Sequence, residues 1–94
     1  MTVLERSKTI SLVKAIQHDA TKTTNEVVEL SEPTLLQGQQ FYDEQTKSGS
    51  LSGMGLLIAL VSGVPREAIK KMAFTDYKAC EVYMMGFLAY SPTG

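Results

Sequence analysis

The residues that most often carry chemistry are few in this chain and lie far apart. Cys80 is the only cysteine and His18 is the only histidine. A reactive thiol needs a neighbouring base or positive charge to lower its pKa, and a structural zinc site needs about four cysteine or histidine ligands. We therefore expect Cys80 to be a buried, inert thiol and His18 to be a solvated turn residue. The sequence predicts no catalytic residue, no metal site and no cofactor.

Two other patterns resemble active-site motifs only in part. The segment GSLSGMG contains Gly49, Gly53 and Gly55, but it lacks the lysine and hydroxyl residue that end a phosphate-binding loop, and no strand precedes it. Asp43 and Glu44 are neighbouring carboxylates, but they fall on a polar helix face where nothing would desolvate an acid and base pair. We expect linker glycines, solvated acids and a protein that is not an enzyme.

A DNA-binding motif is the main alternative. Residues 56–72, LLIALVSGVPREAIKKM, are compatible with a helix-turn-helix that has Gly63 in the turn. Arg66, Lys70 and Lys71 would then face DNA phosphates from the second helix. That helix is short, carries no asparagine or glutamine to read bases, and belongs to a chain of net charge −1. Nucleic acid is therefore not the expected partner, and DNA binding stays the second hypothesis.

Composition indicates one small domain. The chain has 94 residues, of which 44% are hydrophobic and 20% are charged, enough for one core and too few for two domains. The longest apolar run, residues 53–61, is about half of the roughly 20 residues that span a bilayer, so we expect no membrane segment. The amino end lacks the order of a signal peptide, and a single cysteine suits a reducing compartment.

The amino-terminal third predicts a β-hairpin. We expect residues 1–8 to be frayed, residues 9–16 to form a strand rich in β-branched side chains, and EVVEL at 26–30 to form a second strand. The polar stretch at 18–25 would join them. Since two strands alone are marginally stable in water, the hairpin at 9–30 must pack on the helices that follow.

Residues 31–90 predict three to four helices, followed by a flexible tail at 91–94. Ser31 with Pro33 is a candidate start of the first helix, KSGS at 47–50 reads as a loop after which Ser50 caps, and Gly63 ends the second helix. The expected helices cover residues 34–46, residues 50–61, a short stretch after Pro65, and residues 75–90. The predicted fold class is α+β, an amino-terminal β-hairpin packed on a small helical bundle.

Four helices supply the predicted apolar contacts. The first would offer Leu35, Leu36, Phe41 and Tyr42, the second Leu51, Met54, Leu57, Ile58 and Val61, and the short third Ile69 and Met72. The last would begin at Thr75 as its cap, with Asp76 at the positive end of the helix dipole. Its core-facing stripe would be Phe74, Tyr77, Cys80, Met84, Phe87 and Leu88.

Beyond Glu81 the last helix becomes apolar on nearly all sides. A helix of this kind is buried on several sides, and one small domain cannot easily cover it alone. We therefore expect its second side to contact another chain or a second copy of this one. The predicted contact residues are Tyr83, Met85, Phe87 and Tyr90, with Leu56 and Leu60 as neighbours.

The order of these segments resembles that of the small tail assembly chaperones of long-tailed bacteriophages, over about residues 9–90. The resemblance depends on the strand that runs into EPT at 32–34, on LIALVSGVP at 57–65, and on Asp76 and Tyr77 before a helix that ends in phenylalanine and leucine. The hairpin turn departs from that pattern because it has no glycine. These are packing and capping patterns, and none of them is a catalytic signature.

The resemblance implies a function in the host cytoplasm. Such a protein coats the tape measure protein before the tail tube closes around it, then leaves and is absent from the mature virion. Self-association is predicted by the apolar end of the last helix. Where a longer translational form exists, the resemblance also implies recruitment of the major tail tube protein. Methionines near an apolar helix end suit this function because they can repack against varied partners.

Overall fold

A two-stranded antiparallel hairpin is followed by helices in this computed structural model, which describes residues 6–18 and 22–90. The elements are β1 (Ser7–His18), β2 (Thr23–Ser31), α1 (Leu35–Ser48), α2 (Ser50–Ser62), α3 (Arg66–Ile69) and α4 (Phe74–Leu88). The predicted α+β fold with an amino-terminal hairpin is confirmed. The predicted tail at 91–94 lies outside the described residues.

Both strands are longer than the sequence predicts. Ser7 and Lys8 pair with Ser31 and Leu30, so the expectation that residues 1–8 are frayed is wrong for this part, while residues 1–5 lie outside the described chain. The predicted turn at 18–25 is also too long, because His18 still pairs with Thr23. The pairing therefore extends to His18 on β1 and to Thr23 on β2.

The ladder is interrupted in β1. Pairing shifts between Ser11 and Ile16, so the residues between them have no direct partner on β2. A bulge leaves backbone groups unpaired. Here the carboxylate of Asp76 accepts hydrogen bonds from the N–H of Val13, at 3.0 Å, and the N–H of Lys14, at 3.2 Å. Asp76 is only 3% exposed, and it ties the first turn of α4 to the irregular part of β1.

Two predicted helix caps are wrong. Ser31 ends β2, and α1 is capped by Thr34, whose hydroxyl accepts from the N–H of Gln37 while the Gln37 side chain accepts from the N–H of Thr34. This reciprocal capping box satisfies two amides at once, which Ser31 cannot do while it is held in the strand. Thr75 does not cap α4 either, because that helix already begins at Phe74.

The helices α1 and α2 form a close antiparallel pair. The predicted loop at 47–50 is wrong, since a single residue, Gly49, separates them with φ of 98°, a backbone conformation that favours glycine. Ser50 accordingly does not cap α2. A Cβ placed on Gly53 would lie 3.0 Å from the Cβ of Gln45. The absence of a side chain at Gly53 therefore lets the two helices approach closely.

The core lies between the hairpin and the helices. β2 packs over α2, and β1 packs over α3 and α4. Burying one aliphatic side chain in this core contributes about 1.5–3 kcal/mol to the free energy of unfolding. The largest fully buried side chains are Ile16, Val28, Leu30, Met54, Leu57, Ile58, Cys80 and Met84.

A polar network joins three helices at the edge of this core. Glu44 of α1 accepts a hydrogen bond of 2.6 Å from the Ser52 hydroxyl of α2. Arg66, at the start of α3, donates to the same carboxylate oxygen at 2.8 Å and to the Ser52 hydroxyl at 2.7 Å. The Ser52 hydrogen bond and then the Arg66 guanidinium lower the pKa of Glu44 from its ordinary value of 4.5 to about 2. Glu44 is therefore a structural anion.

The two hydrogen bonds accepted by Asp76 predict that this side chain contributes measurably to stability. We expect Asp76→Ala to lower the free energy of unfolding by about 2–4 kcal/mol, because two amides of β1 lose a charged acceptor. Urea unfolding measures this, and hydrogen exchange at Val13 and Lys14 should accelerate. Asp43→Ala, at an exposed carboxylate on α1, is the matched control and should change stability by less than about 0.5 kcal/mol. Equal effects of the two substitutions would contradict the account.

The lowered pKa of Glu44 predicts that the protein loses stability in acid. Because its folded pKa is depressed to about 2, its contribution is complete above the ordinary pKa of 4.5 and is lost as pH falls toward 2. We expect Glu44→Gln to be less stable than the native chain at pH 7 and to show a smaller decline between pH 4.5 and 2. Ser52→Ala should shift the loss to higher pH. Parallel declines of native chain and Glu44→Gln would show that Glu44 does not titrate in this way.

Candidate partner-binding surface

The exposed apolar residues of α4 lie on two opposite flanks. Tyr77, Cys80 and Met84 form the buried stripe. At 100° per residue, Tyr83, Phe87 and Tyr90 fall on one flank of that stripe and Met85 falls on the other. Met84 is fully buried whereas Met85 is 43% exposed, as neighbouring positions on a helix require. One flat partner therefore cannot cover Tyr83 and Met85 together.

The first flank opens into a groove between α4 and α1. The groove encloses about 1020 Å³. Phe87 and Tyr90, two of the predicted contact residues, lie on one wall, and Tyr83 packs behind Phe87 with ring centroids 5.2 Å apart. The lining residues are Arg6, Glu32, Pro33, Thr34, Leu35, Gly38, Gln39, Tyr42, Phe87, Leu88 and Tyr90.

Three side chains of α1 that were predicted to make apolar contacts are exposed, and two of them, Leu35 and Tyr42, line the opposite wall of this groove. The sequence predicts apolar packing for Leu35, Leu36 and Tyr42, but these side chains are 90%, 64% and 52% exposed, and only Phe41 of the four is buried. The reason is that α1 packs on α2 and is not covered from its other side. The glutamines and Gly38 that separate the two apolar pairs of α1 were the signal of such a one-sided helix.

Leu56 and Leu60 do not line the groove. Both are half-buried. Leu60 lies two turns after Gly53, on the face of α2 that approaches α1. We therefore place these two leucines beside α1, apart from the exposed flanks of α4.

A smaller groove lies at the other end of α4. It encloses about 310 Å³ between α2, α3 and α4, and its lining includes Leu51, Met72 and Phe74. Leu51 and Phe74 were predicted to face the core, but they are 60% and 62% exposed. The Phe74 ring instead stacks on Tyr77, with centroids 5.6 Å apart, and Lys78 Nζ lies 5.6 Å from its centre.

The Cys80 thiol and the Tyr77 hydroxyl are held in their neutral forms. Burial, and secondarily the Asp76 carboxylate, raises the pKa of the Cys80 thiol to about 11. Burial and the nearby Glu81 raise the pKa of Tyr77 to about 12, and the Tyr77 hydroxyl donates to Glu81 at 3.2 Å. Cys80 has no exposed surface, which confirms the prediction of a buried thiol with little thiolate character.

The helix-turn-helix hypothesis finds little support in the geometry. Gly63 ends α2 in the left-handed conformation, as predicted, but α3 is only four residues long. Arg66 is bound to Glu44 and Ser52, and Lys70 Nζ lies 3.6 Å from Glu67. A recognition helix needs several side chains directed into the major groove, and a single turn with its arginine already engaged does not provide them.

Residues 6–18 and 22–90 contain neither a metal-binding cluster nor a membrane-spanning helix. No group of three or more histidine, cysteine or acidic side chains there is placed to hold a metal ion. In the same ranges, no helix has both the length and the apolar character needed to cross a bilayer. The candidate site is therefore the groove between α1 and α4, a surface of aromatic and aliphatic side chains.

Comparison with known proteins gives a match to a family model. Neither a curated protein nor a solved structure matches this chain. The family model described as phage tail assembly chaperone proteins, E, or 41 or 14, matches residues 9–89, which is most of the chain. The match includes the groove residues except Arg6 and Tyr90. The chain belongs to this family of phage tail assembly chaperones.

Proposed function

We propose that this tail assembly chaperone self-associates and binds the tape measure protein in the host cytoplasm before the tail tube closes, and that it is absent from the mature virion. Family membership supports a non-catalytic function in tail assembly. The tape measure protein is the client that the sequence resemblance implies. A long helical client with exposed apolar faces needs temporary cover, which a small binding protein can provide.

The groove between α1 and α4 is the observation that carries this proposal. Its walls offer Leu35 and Tyr42 from α1, and Phe87, Leu88 and Tyr90 from the end of α4. An amphipathic helix binds such a surface by inserting apolar side chains from successive turns. Aromatic side chains add contact area at a low cost in conformational entropy. Arg6 and Glu32, which pair at 3.1 Å at the rim, leave this end of the groove without a strong net charge.

The length of the molecule, compared with that of a long helical client, supports self-association. The molecule measures 45 × 31 × 20 Å, so one copy covers only a short part of an extended helical client. An α-helix rises 1.5 Å per residue, which makes 45 Å equivalent to about 30 residues. Several neighbouring copies would be required to cover a longer segment, and contacts between copies would hold them side by side.

Substitutions on the two groove walls test the proposal. We expect the double variant Leu35→Asp with Tyr90→Asp to bind the tape measure protein of the same phage at least about 30-fold more weakly, because two apolar contacts are replaced by charges. Both native side chains are mostly exposed, so the fold should persist. Isothermal titration with purified proteins measures the affinity, and circular dichroism checks the helix content.

The chain offers a matched control for this experiment. Leu36 is 64% exposed and Val82 is 74% exposed, and neither side chain lines the groove. Leu36→Asp with Val82→Asp introduces the same charges on the same two helices and should leave the affinity unchanged. Equal weakening by the two double variants would remove the groove as the binding site. A native chain that fails to bind the tape measure protein would refute the client itself.

A further inference from the structure

The outer edge of β2 is a second candidate binding surface, because some of its backbone N–H and C=O groups point away from β1. The N–H of Glu32 donates to the carbonyl of Arg6 at 2.8 Å, which continues the hairpin ladder by one pair. In an antiparallel ladder, bonded and non-bonded pairs alternate. Lys8 with Leu30 and Ile10 with Val28 therefore exchange the hairpin bonds, and the backbone groups of Val27 and Glu29 point away from β1.

The two edges of the hairpin differ in whether their outward backbone groups have hydrogen-bond partners. On β1, the amides of Val13 and Lys14 are bound by Asp76 of α4. On β2, the outward backbone groups of Val27 and Glu29 have no hydrogen-bond partner among the described residues, and both side chains are exposed. Thr23–Ser31 contains no proline and several β-branched residues. Natural sheets usually block or cover such an edge because it pairs readily with another strand.

We propose that β2 pairs antiparallel with β2 of a second copy, so that two hairpins form one four-stranded sheet across a two-fold axis. This inference rests on the self-association included in the proposed function and assigns a surface to it. Val27 lies on the axis, opposite Val27 of the second copy. Each Val27 then exchanges both of its outward backbone bonds with its counterpart, and the 42% of its side chain that is exposed becomes covered.

Charge permits this alignment of β2 with β2 of a second copy. Glu26 and Glu29 are the charged residues of β2, and like charges directly opposite each other destabilise a strand pair. An axis through Glu26 or Glu29 would place that glutamate opposite itself. An axis through Val27 instead places Glu29 opposite Asn25 of the second copy, and Glu26 opposite Val28. A β-branched pair at the centre adds a favourable side-chain contact.

Backbone and charge substitutions at Val27 test the alignment. Val27→Pro removes an outward N–H and leaves the intrachain ladder intact, so we expect the native chain to self-associate at least about tenfold more tightly than this variant. Val27→Glu and Val27→Lys should each self-associate weakly, because like charges meet across the axis. An equimolar mixture of these two variants should recover association, because position 27 then faces the opposite charge. Sedimentation velocity over a concentration series measures all five samples.

The outcomes separate the two proposals. If the native chain associates and Val27→Pro associates equally well, or if the mixture recovers nothing, the β2 edge is not the interface while self-association stands. A native chain that stays monomeric at all concentrations would overturn both. Hydrogen exchange gives an independent readout, since the amides of Val27 and Glu29 should become protected as the native chain associates. Urea unfolding of Val27→Pro checks that the hairpin remains folded.

Discussion

The contact between the Asp76 carboxylate and the amides of Val13 and Lys14 determines how the two halves of this molecule fit together. A strand with a bulge cannot satisfy all of its backbone groups within its own hairpin, and these two partly buried amides would otherwise lack a protein acceptor. Asp76 meets that need from the first turn of α4, where its charge also suits the helix dipole. The irregular strand and the helix start are therefore each stabilised by the other.

This contact sets the course of α4 along the hairpin. From Asp76 beside the bulge, the helix runs antiparallel to β1, so that Lys8 Nζ lies 6.0 Å from the centre of the Tyr83 ring. The last turn, with Leu88 followed by Tyr90, reaches Arg6 and the start of α1. The groove is a consequence of this geometry, since α1 packs on α2 and leaves space beside the end of α4. The contact at the bulge directs α4 along β1. It thereby positions the candidate binding surface near the start of that strand.

Much of this fold was predictable from local patterns, and the misplaced parts required knowledge of tertiary contacts. Alternation of β-branched residues identified both strands, and Gly63 identified the end of α2. Asp76 was recognised only as a helix-dipole residue, because its partners are more than 60 residues away in sequence. Phe87 and Tyr90 were named as contact residues, but Leu35 and Tyr42 were assigned to the core. Periodicity shows that a helix has an apolar face and does not show which faces remain uncovered.

The two surfaces of the proposed assembly are joined by a short covalent path. β2 ends at Ser31, and the next three residues, Glu32, Pro33 and Thr34, line the groove. Pro33 restricts the backbone, and the capping box at Thr34 fixes the start of α1. Motion between the strand and the groove wall is therefore limited. Pairing of two copies at β2 would hold their grooves in one relative orientation, so that neighbouring copies could bind successive segments of the same long helix. Such a linked arrangement would raise the effective concentration of each groove for the client. Individually weak apolar contacts would then be sufficient for cover and would remain reversible.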